Sequence, residues 1–310
     1  MRLCRYRHQN AVQFGFYRDP SIIPLAAAAR EQGVRLPEMR SMLAGLPGGE
    51  TRAAVVELQD RLESLPEREL GRLAVSVDKV SLLVPVPDPS KLLLLAGNYS
   101  EHIEEGGGKA EERQKTFPYV FMKPPLTTLT NPGDPVCIPA VSPKHIDWEL
   151  ELGVIIGRRC QNVSEADALS YVAGYTVVND ISDRRFKPNP NRADRPKDDY
   201  FDWLHGKWHD TFCPMGPCVL PAEELPDPQT LRMTLRVNGH VEQDGRTSQM
   251  IFPVAAIIEF ISSFVTLEPG DVISTGTPSG VGAAKGKFLK PGDVLEAAIE
   301  KIGLLRNPVE

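Results

Sequence analysis

The chain has 310 residues and no apolar run near the ~20 residues that a membrane-spanning helix needs. Its longest such run, Leu92 to Ala96, is the size of one strand. It also lacks an excess of positive charge. The net charge is −6, which argues against a nucleic-acid surface, since phosphate binding relies on clustered Lys and Arg. Arg2, Arg5 and Arg7 give a basic start, but no apolar segment follows, so a secretory signal is not expected. Cysteine is scarce: Cys4, Cys137, Cys160, Cys213 and Cys218. An odd count without framework spacing predicts reduced thiols and a cytoplasmic setting. Cys213 and Cys218 could form half of a zinc site, but no second Cys/His pair accompanies them, which favours buried structural thiols.

What is present is ordinary soluble-protein composition, 41% hydrophobic and 25% charged, with 28 Pro and 25 Gly as punctuation. Length suggests two domains. Val55, Leu58, Leu62 and Leu65 recur at helical spacing within 51–65, and Pro66 ends the pattern. Residues 1–85 are expected to form a small N-terminal α/β domain, with the stiff stretch Pro85–Pro89 as a linker to residues 86–310. Strands are predicted at 91–96, 119–123, 147–157, 172–179, 231–237, 271–275 and 293–300, a hairpin turn at Asn238-Gly239, and a helix at 254–264. Strands outnumber helices without regular alternation, so the fold class is mainly β (α+β).

Several stretches carry chemistry. In "HIDWELELGVIIGR", period two puts Asp147, Glu149 and Glu151 on one face and Trp148, Leu150 and Leu152 on the other. Such alternation alone often marks a half-exposed strand. "YVAGYTVVNDISDRR" ends an apolar strand in Asp180, and with Glu149 and Glu151 it would complete an all-oxygen site suited to Mg²⁺ or Mn²⁺. Asp147 could join that site, support it or face solvent. In "GNYSEHIEEGGGK", Asn98 can cap a short helix with Glu101 in capping-box position. His102 and Glu105 then share a face as i and i+3, the makings of a general base. Gly106–Gly108 would be a hinge, so this helix could act as a lid. The bland reading is an exposed charged turn. "GDVISTGTPSGVG" ends a strand in a glycine-rich loop that lacks phosphate-loop spacing. It is either a wide surface turn or a loop whose Thr277 hydroxyl and backbone N–H groups meet an anion. Arg184, Lys207 and Lys123 are cations near the acids, each a plain surface charge when taken singly; beside an ion held by the acids, Arg184 and Lys123 are expected to contact substrate and Lys207 to take part in catalysis.

In their order, "GNYxxHxxE", "DWELELGVIIG", "GYTVVNDISDRR", "GKWHDTFCPMGP", "GDVISTGTPSGVG" and "LKPGDVLEAAIEKIGLLRNPV" resemble the fumarylacetoacetate hydrolase family over about residues 83–307. The resemblance implies that family's mixed β-sandwich roll and a homodimer. It implies Glu149, Glu151 and Asp180 as metal acids for Mg²⁺ or Mn²⁺, with Ca²⁺ in some members. It implies His102 and Glu105 as the water-activating dyad, Lys207 and Arg184 against substrate oxygens, and Gly276 and Thr277 closing the pocket. Two features depart from the pattern. Lys187 stands where many members carry Gln, and a polar insertion, 187–206, is expected to form a rim loop. The implied activity is hydrolysis of a C–C bond in a dioxo or acylpyruvate-type acid. Decarboxylation, tautomerisation or isomerisation, and hydration of oxaloacetate-like or muconic-type acids are alternatives, and a non-catalytic metal-binding relic is a further one.

Overall fold

A computed structural model describes residues 1–310. One mixed sheet of twelve strands runs through the molecule. Its order is Val75–Ser76, Ser21–Pro24, Ala11–Arg18, Arg2–His8, Cys213–Pro221, Val172–Asn179, Leu150–Ile156, Val272–Ser274, Leu92–Ala96 and Tyr119–Met122. Ser81–Leu83 and Leu129–Thr130 pair off this path. A four-stranded antiparallel sheet, His240–Arg246, Arg232–Val237, Val294–Ile299 and Gly303–Pro308, packs against it. The resulting architecture is the mainly β, mixed α+β type expected.

The predicted strands all form, most within two residues at each end. The exception is informative. The 147–157 stretch splits into Ile146–Asp147 and Leu150–Ile156, with Trp148 and Glu149 between them. Leu150–Ile156 is buried at every position, so the half-exposed reading fails. A strand flanked on both edges and covered on both faces has no wet side. Asn238-Gly239 makes the two-residue hairpin, both residues at positive φ (51° and 79°).

The N-terminal segment adds strands and the helices Leu25–Glu31, Arg52–Glu63 and Glu67–Leu73. Val55, Leu58 and Leu62 of the expected helix are buried in a core shared with Leu92, Ile155 and Met215. Arg2–His8 pairs with Cys213–Pro221 through Leu3 opposite Val219, and Val84 and Val86 of the Pro-rich stretch join the same core. No helix is long and apolar enough to cross a membrane.

The 187–206 insertion is not simply a rim loop. It ends in the helix Asp198–His205. Arg192 grips Asp198 and Asp202 on one face of that helix, and Trp203 on the other packs edge-on against Phe121, ring centres 5.0 Å apart. The acids that hid the helix in the sequence are held by Arg192, with Asp198 itself buried.

Candidate active site

Leu150–Ile156 and Val172–Asn179 are antiparallel neighbours, with Leu150 opposite Asn179. Glu149 and Glu151, two residues apart, therefore lie beside Asp180, the residue that follows the partner strand. Asp180 N–H donates to Glu149 O at 2.8 Å, and Glu149 N–H donates to the Asn179 side chain at 3.0 Å. One oxygen from each of Glu149, Glu151 and Asp180 lies within 4.8 Å of the others, and all three residues are buried.

Two carboxylates ~4 Å apart repel by roughly 4 kcal/mol even at an effective dielectric near 20. Three such groups need compensation. Lys207 Nζ donates to Asp180 Oδ2 at 2.6 Å and to Glu149 Oε2 at 2.8 Å. Lys123 pairs with Asp180 Oδ1 at 2.5 Å. Arg184 Nε donates to Asp147 Oδ2 at 2.8 Å, and its Nη2 meets Glu149 Oε1. Burial alone would raise the Glu149 pKa, but Arg184 and Lys207, with His102 near enough to add to them, hold it well below the usual carboxylate range. Glu151 goes the other way. Burial first, then the charges of Asp180 and Glu149, push it well above that range. Burial works against the charged form of Lys207, but Asp180 and Glu149 outweigh it and raise its pKa.

Glu151 Oε2 accepts from Ser274 Oγ at 2.6 Å and from Gly276 N–H at 2.9 Å, whereas its buried Oε1 has no hydrogen-bond partner. A carboxylate oxygen without a protein donor, in a cluster of three carboxylates, fits a hard divalent cation such as Mg²⁺ or Mn²⁺. The Cys213/Cys218 alternative for zinc is overturned. Both thiols are buried, in separate core clusters, and burial pushes each up to about 12.

His102 and Glu105 sit on the short helix Ser100–Glu105, with His102 Nδ1 2.8 Å from Glu105 Oε1. Glu105 Oε2 accepts from Gly280 N–H at 2.8 Å, and Glu101 accepts from Ser279 Oγ at 3.0 Å. The helix is thus docked on the glycine-rich loop. The capping box expected here does not form. Asn98 is buried and used across the chain instead, donating to Thr275 O at 2.8 Å and accepting from Phe252 N–H at 2.8 Å. Gly276 must be glycine on two counts. Its φ is 87°, and a Cβ there would lie 2.8 Å from Asn98 Cβ.

Two expected substrate contacts change meaning. Lys123, fully buried, donates to Ile181 O at 2.8 Å and to Phe212 O, and its ammonium pairs with the charge of Asp180. It braces Asp180 from inside the core, between the ends of two strands. The Thr277 hydroxyl gives its proton to Leu150 O at 2.9 Å and accepts from Gln243 at 2.8 Å, so only its backbone N–H is left uncommitted by the chain. Asp147 is fully buried and accepts from the N–H groups of Gly282 and Ala283 at 2.6 and 3.0 Å. It supports Arg184 and stands outside the triad. Gln243 escaped the sequence reading because nothing in a hairpin strand ties it to the backbone of Leu150, 93 positions away between two acids.

Buried acids, a docked His–Glu helix and a glycine-rich loop thus meet on one mixed β roll. Residues 91–310 match the family model for the fumarylacetoacetate (FAA) hydrolase C-terminal domain, and the chain belongs to that family. Among its relatives, a 2,4-didehydro-3-deoxy-L-rhamnonate hydrolase from Sphingomonas sp. (strain SKA58) is 45% identical over 229 residues, 73% of this chain and 75% of the relative. A mitochondrial oxaloacetate tautomerase, fahd2 of Xenopus laevis, is 39% identical over 237 residues, 76% of this chain and 70% of the relative. The crystal structure of a maleylpyruvate hydrolase from Sphingobium sp. SYK-6, in complex with manganese(II) and pyruvate, superposes with a TM-score of 0.73 at 28% identity, covering 100% of this chain and 98% of that one.

Proposed function

We propose that this protein is a divalent-metal-dependent hydrolase that cleaves a C–C bond in a dioxo or acylpyruvate-type acid. The observation that carries the reading is the convergence of Glu149, Glu151 and Asp180, with an unpartnered Glu151 oxygen, in the same site as a paired His102 and Glu105. Glu149, Glu151 and Asp180 would hold Mg²⁺ or Mn²⁺. When bound, such an ion polarises a carbonyl oxygen and stabilises negative charge that develops on it.

The chain's own residues account for the proton movements. Glu105 accepts from His102 Nδ1–H, which leaves Nε2 as the base. His102 Nε2 takes a proton from water, and the resulting hydroxide attacks the substrate carbonyl. Arg184 and Lys207 offset the charge that builds on oxygen. The C–C bond then breaks, its electron pair leaves on the keto-acid fragment as an enolate, and the imidazolium returns the proton to that fragment. Thr277 N–H is free to hold the substrate carboxylate.

A second reading has support from the oxaloacetate tautomerase relative. The same base moving a proton between carbon and oxygen, without attack by water, gives tautomerisation. Incubating the Mg²⁺- or Mn²⁺-loaded protein with acylpyruvates and with enol oxaloacetate, followed by product analysis, separates the two. Pyruvate released from an acylpyruvate supports hydrolysis. Accelerated enol–keto exchange with no cleavage replaces it with the tautomerase.

The assembly we favour is a homodimer. Tyr119–Met122 is an edge strand, and Phe117, Tyr119, Met122 and Phe264 are exposed around a cleft of about 860 Å³. Exposed apolar patches and open edges are commonly covered by a partner. Five unpaired cysteines support a reducing compartment such as the cytoplasm.

A further inference from the structure

The site described above does not hold itself in place. The loop 276–287 bonds to one acid of the triad, to the strand that carries it, to Asp147 and to the lid helix. Gly276 N–H binds Glu151, Thr277 Oγ binds Leu150 O, Gly280 N–H binds Glu105, and Gly282 and Ala283 N–H bind Asp147. A loop that sets three carboxylates and a lid needs an anchor of its own.

That anchor comes from the other sheet. In the hairpin, Leu235 pairs with Gln243 but Arg236 pairs with Val241, so Glu242 is an extra residue, a β-bulge. Bulges re-aim the side chains beside them. Gln243, fully buried, donates to Thr277 Oγ1 and to Pro278 O, both at 2.8 Å, and accepts from Leu150 N–H at 2.9 Å. One amide therefore ties the loop directly to the residue between Glu149 and Glu151. Glu242 takes the far end. Its carboxylate binds Lys285 at 2.9 Å and Lys287 at 2.8 Å, and its carbonyl accepts from Lys285 at 2.7 Å. The approach is close throughout. A Cβ on Gly280 would lie 2.2 Å from Glu242 O, and one on Gly245 would lie 2.6 Å from Pro278 Cβ.

We propose that the Glu242–Gln243 bulge is a positioning clamp that fixes the 276–287 loop, and through Gly280 the docked His102–Glu105 helix, against the acid strand. Neither residue needs to touch substrate. The clamp deepens the catalytic reading above and relies on it only for the link to turnover.

Hydrogen exchange on the full chain, without substrate, tests it. Gln243→Met removes all three bonds, and Glu242→Ala removes the two carboxylate–lysine bonds while leaving the Lys285 bond to the backbone carbonyl. Both are expected to speed exchange in 276–287 and also in the lid, 100–108, on the order of fivefold. Glu242→Gln, which keeps an acceptor for the lysines, should restore most of the lid's protection. Asn307→Ala serves as the control, because its side chain binds the carbonyls of Asn131 and Asp134 instead and its loss should leave the lid protected. Unchanged lid exchange in the clamp variants, or an equal rise in Asn307→Ala, overturns the proposal. If Gln243→Met does not fold, the Glu242 pair decides. An inactive enzyme with coupled exchange refutes the reaction and keeps the clamp, and an active enzyme with uncoupled exchange does the reverse.

Discussion

The Lys207 ammonium lies 2.6 Å from Asp180 Oδ2 and 2.8 Å from Glu149 Oε2, so one fixed cation already joins two of the three acids. It rests beside the rings of Phe121 and Trp203, 5.3 and 5.9 Å from their centres. An insertion helix thus reaches the site through Trp203, which packs where Lys207 must be held.

Replacing Lys207 by Met leaves two buried carboxylates without that partner. Breaking a buried ion pair costs roughly 3–5 kcal/mol, so the metal-free variant melts well below the metal-free parent. Mn²⁺ then stabilises Lys207→Met more than the parent, because the ion substitutes for the missing charge. Thermal melts with and without Mn²⁺ read both effects. Equal Mn²⁺ shifts in the two proteins would count against this view of Lys207.

Glu151→Gln behaves differently. Burial and its acidic neighbours favour an uncharged Glu151 when no ion is present, and Gln imitates that form. The metal-free variant should melt at or above the parent. Its Mn²⁺-dependent stabilisation should vanish, a loss of about 2.7 kcal/mol if the ion is supplied at 100 times its dissociation constant. Retention of the full shift would take Glu151 out of the metal site.

His102→Gln and Glu105→Gln should lower kcat on the hydrolysed acylpyruvate by about 10²–10⁴, the usual value of a positioned acid–base group. Mn²⁺ binding should survive in both. Near-normal turnover by His102→Gln would leave the reaction without this base.

Thiol chemistry checks the fold and the reading of the cysteines together. Only Cys137 is exposed, so a thiol reagent should modify one cysteine in the native protein and all five after denaturation. Rapid native modification of Cys213 would show that the core around Lys123 and Asp180 is open.

Much of this was legible in the sequence because it is local. The spacing of Glu149 and Glu151, the acid at the end of an apolar strand, and His102 three residues before Glu105 follow from strand and helix periods alone. The Asn238-Gly239 hairpin and the 254–262 helix are equally local. What escaped depends on partners far along the chain. Asn98 gives up its cap because Phe252 and Thr275 satisfy it better in the interior. Lys123 carries no mark that it will be buried, bonded to two carbonyls and paired with Asp180. Gln243 looks like any polar residue on a hairpin until the bulge turns it inward. The Asp198–His205 helix was hidden by the acidic face that Arg192 neutralises.

The central claim is that three acids, at the adjoining ends of two neighbouring strands, hold one divalent ion. Titrating the metal-free protein with Mn²⁺ and following free Mn²⁺ by electron paramagnetic resonance tests it most directly. One saturable site per chain, lost in both Glu149→Ala and Asp180→Ala while those variants remain folded, is the predicted result. Stoichiometric binding that persists in either variant, or no saturable site in the parent, would contradict it.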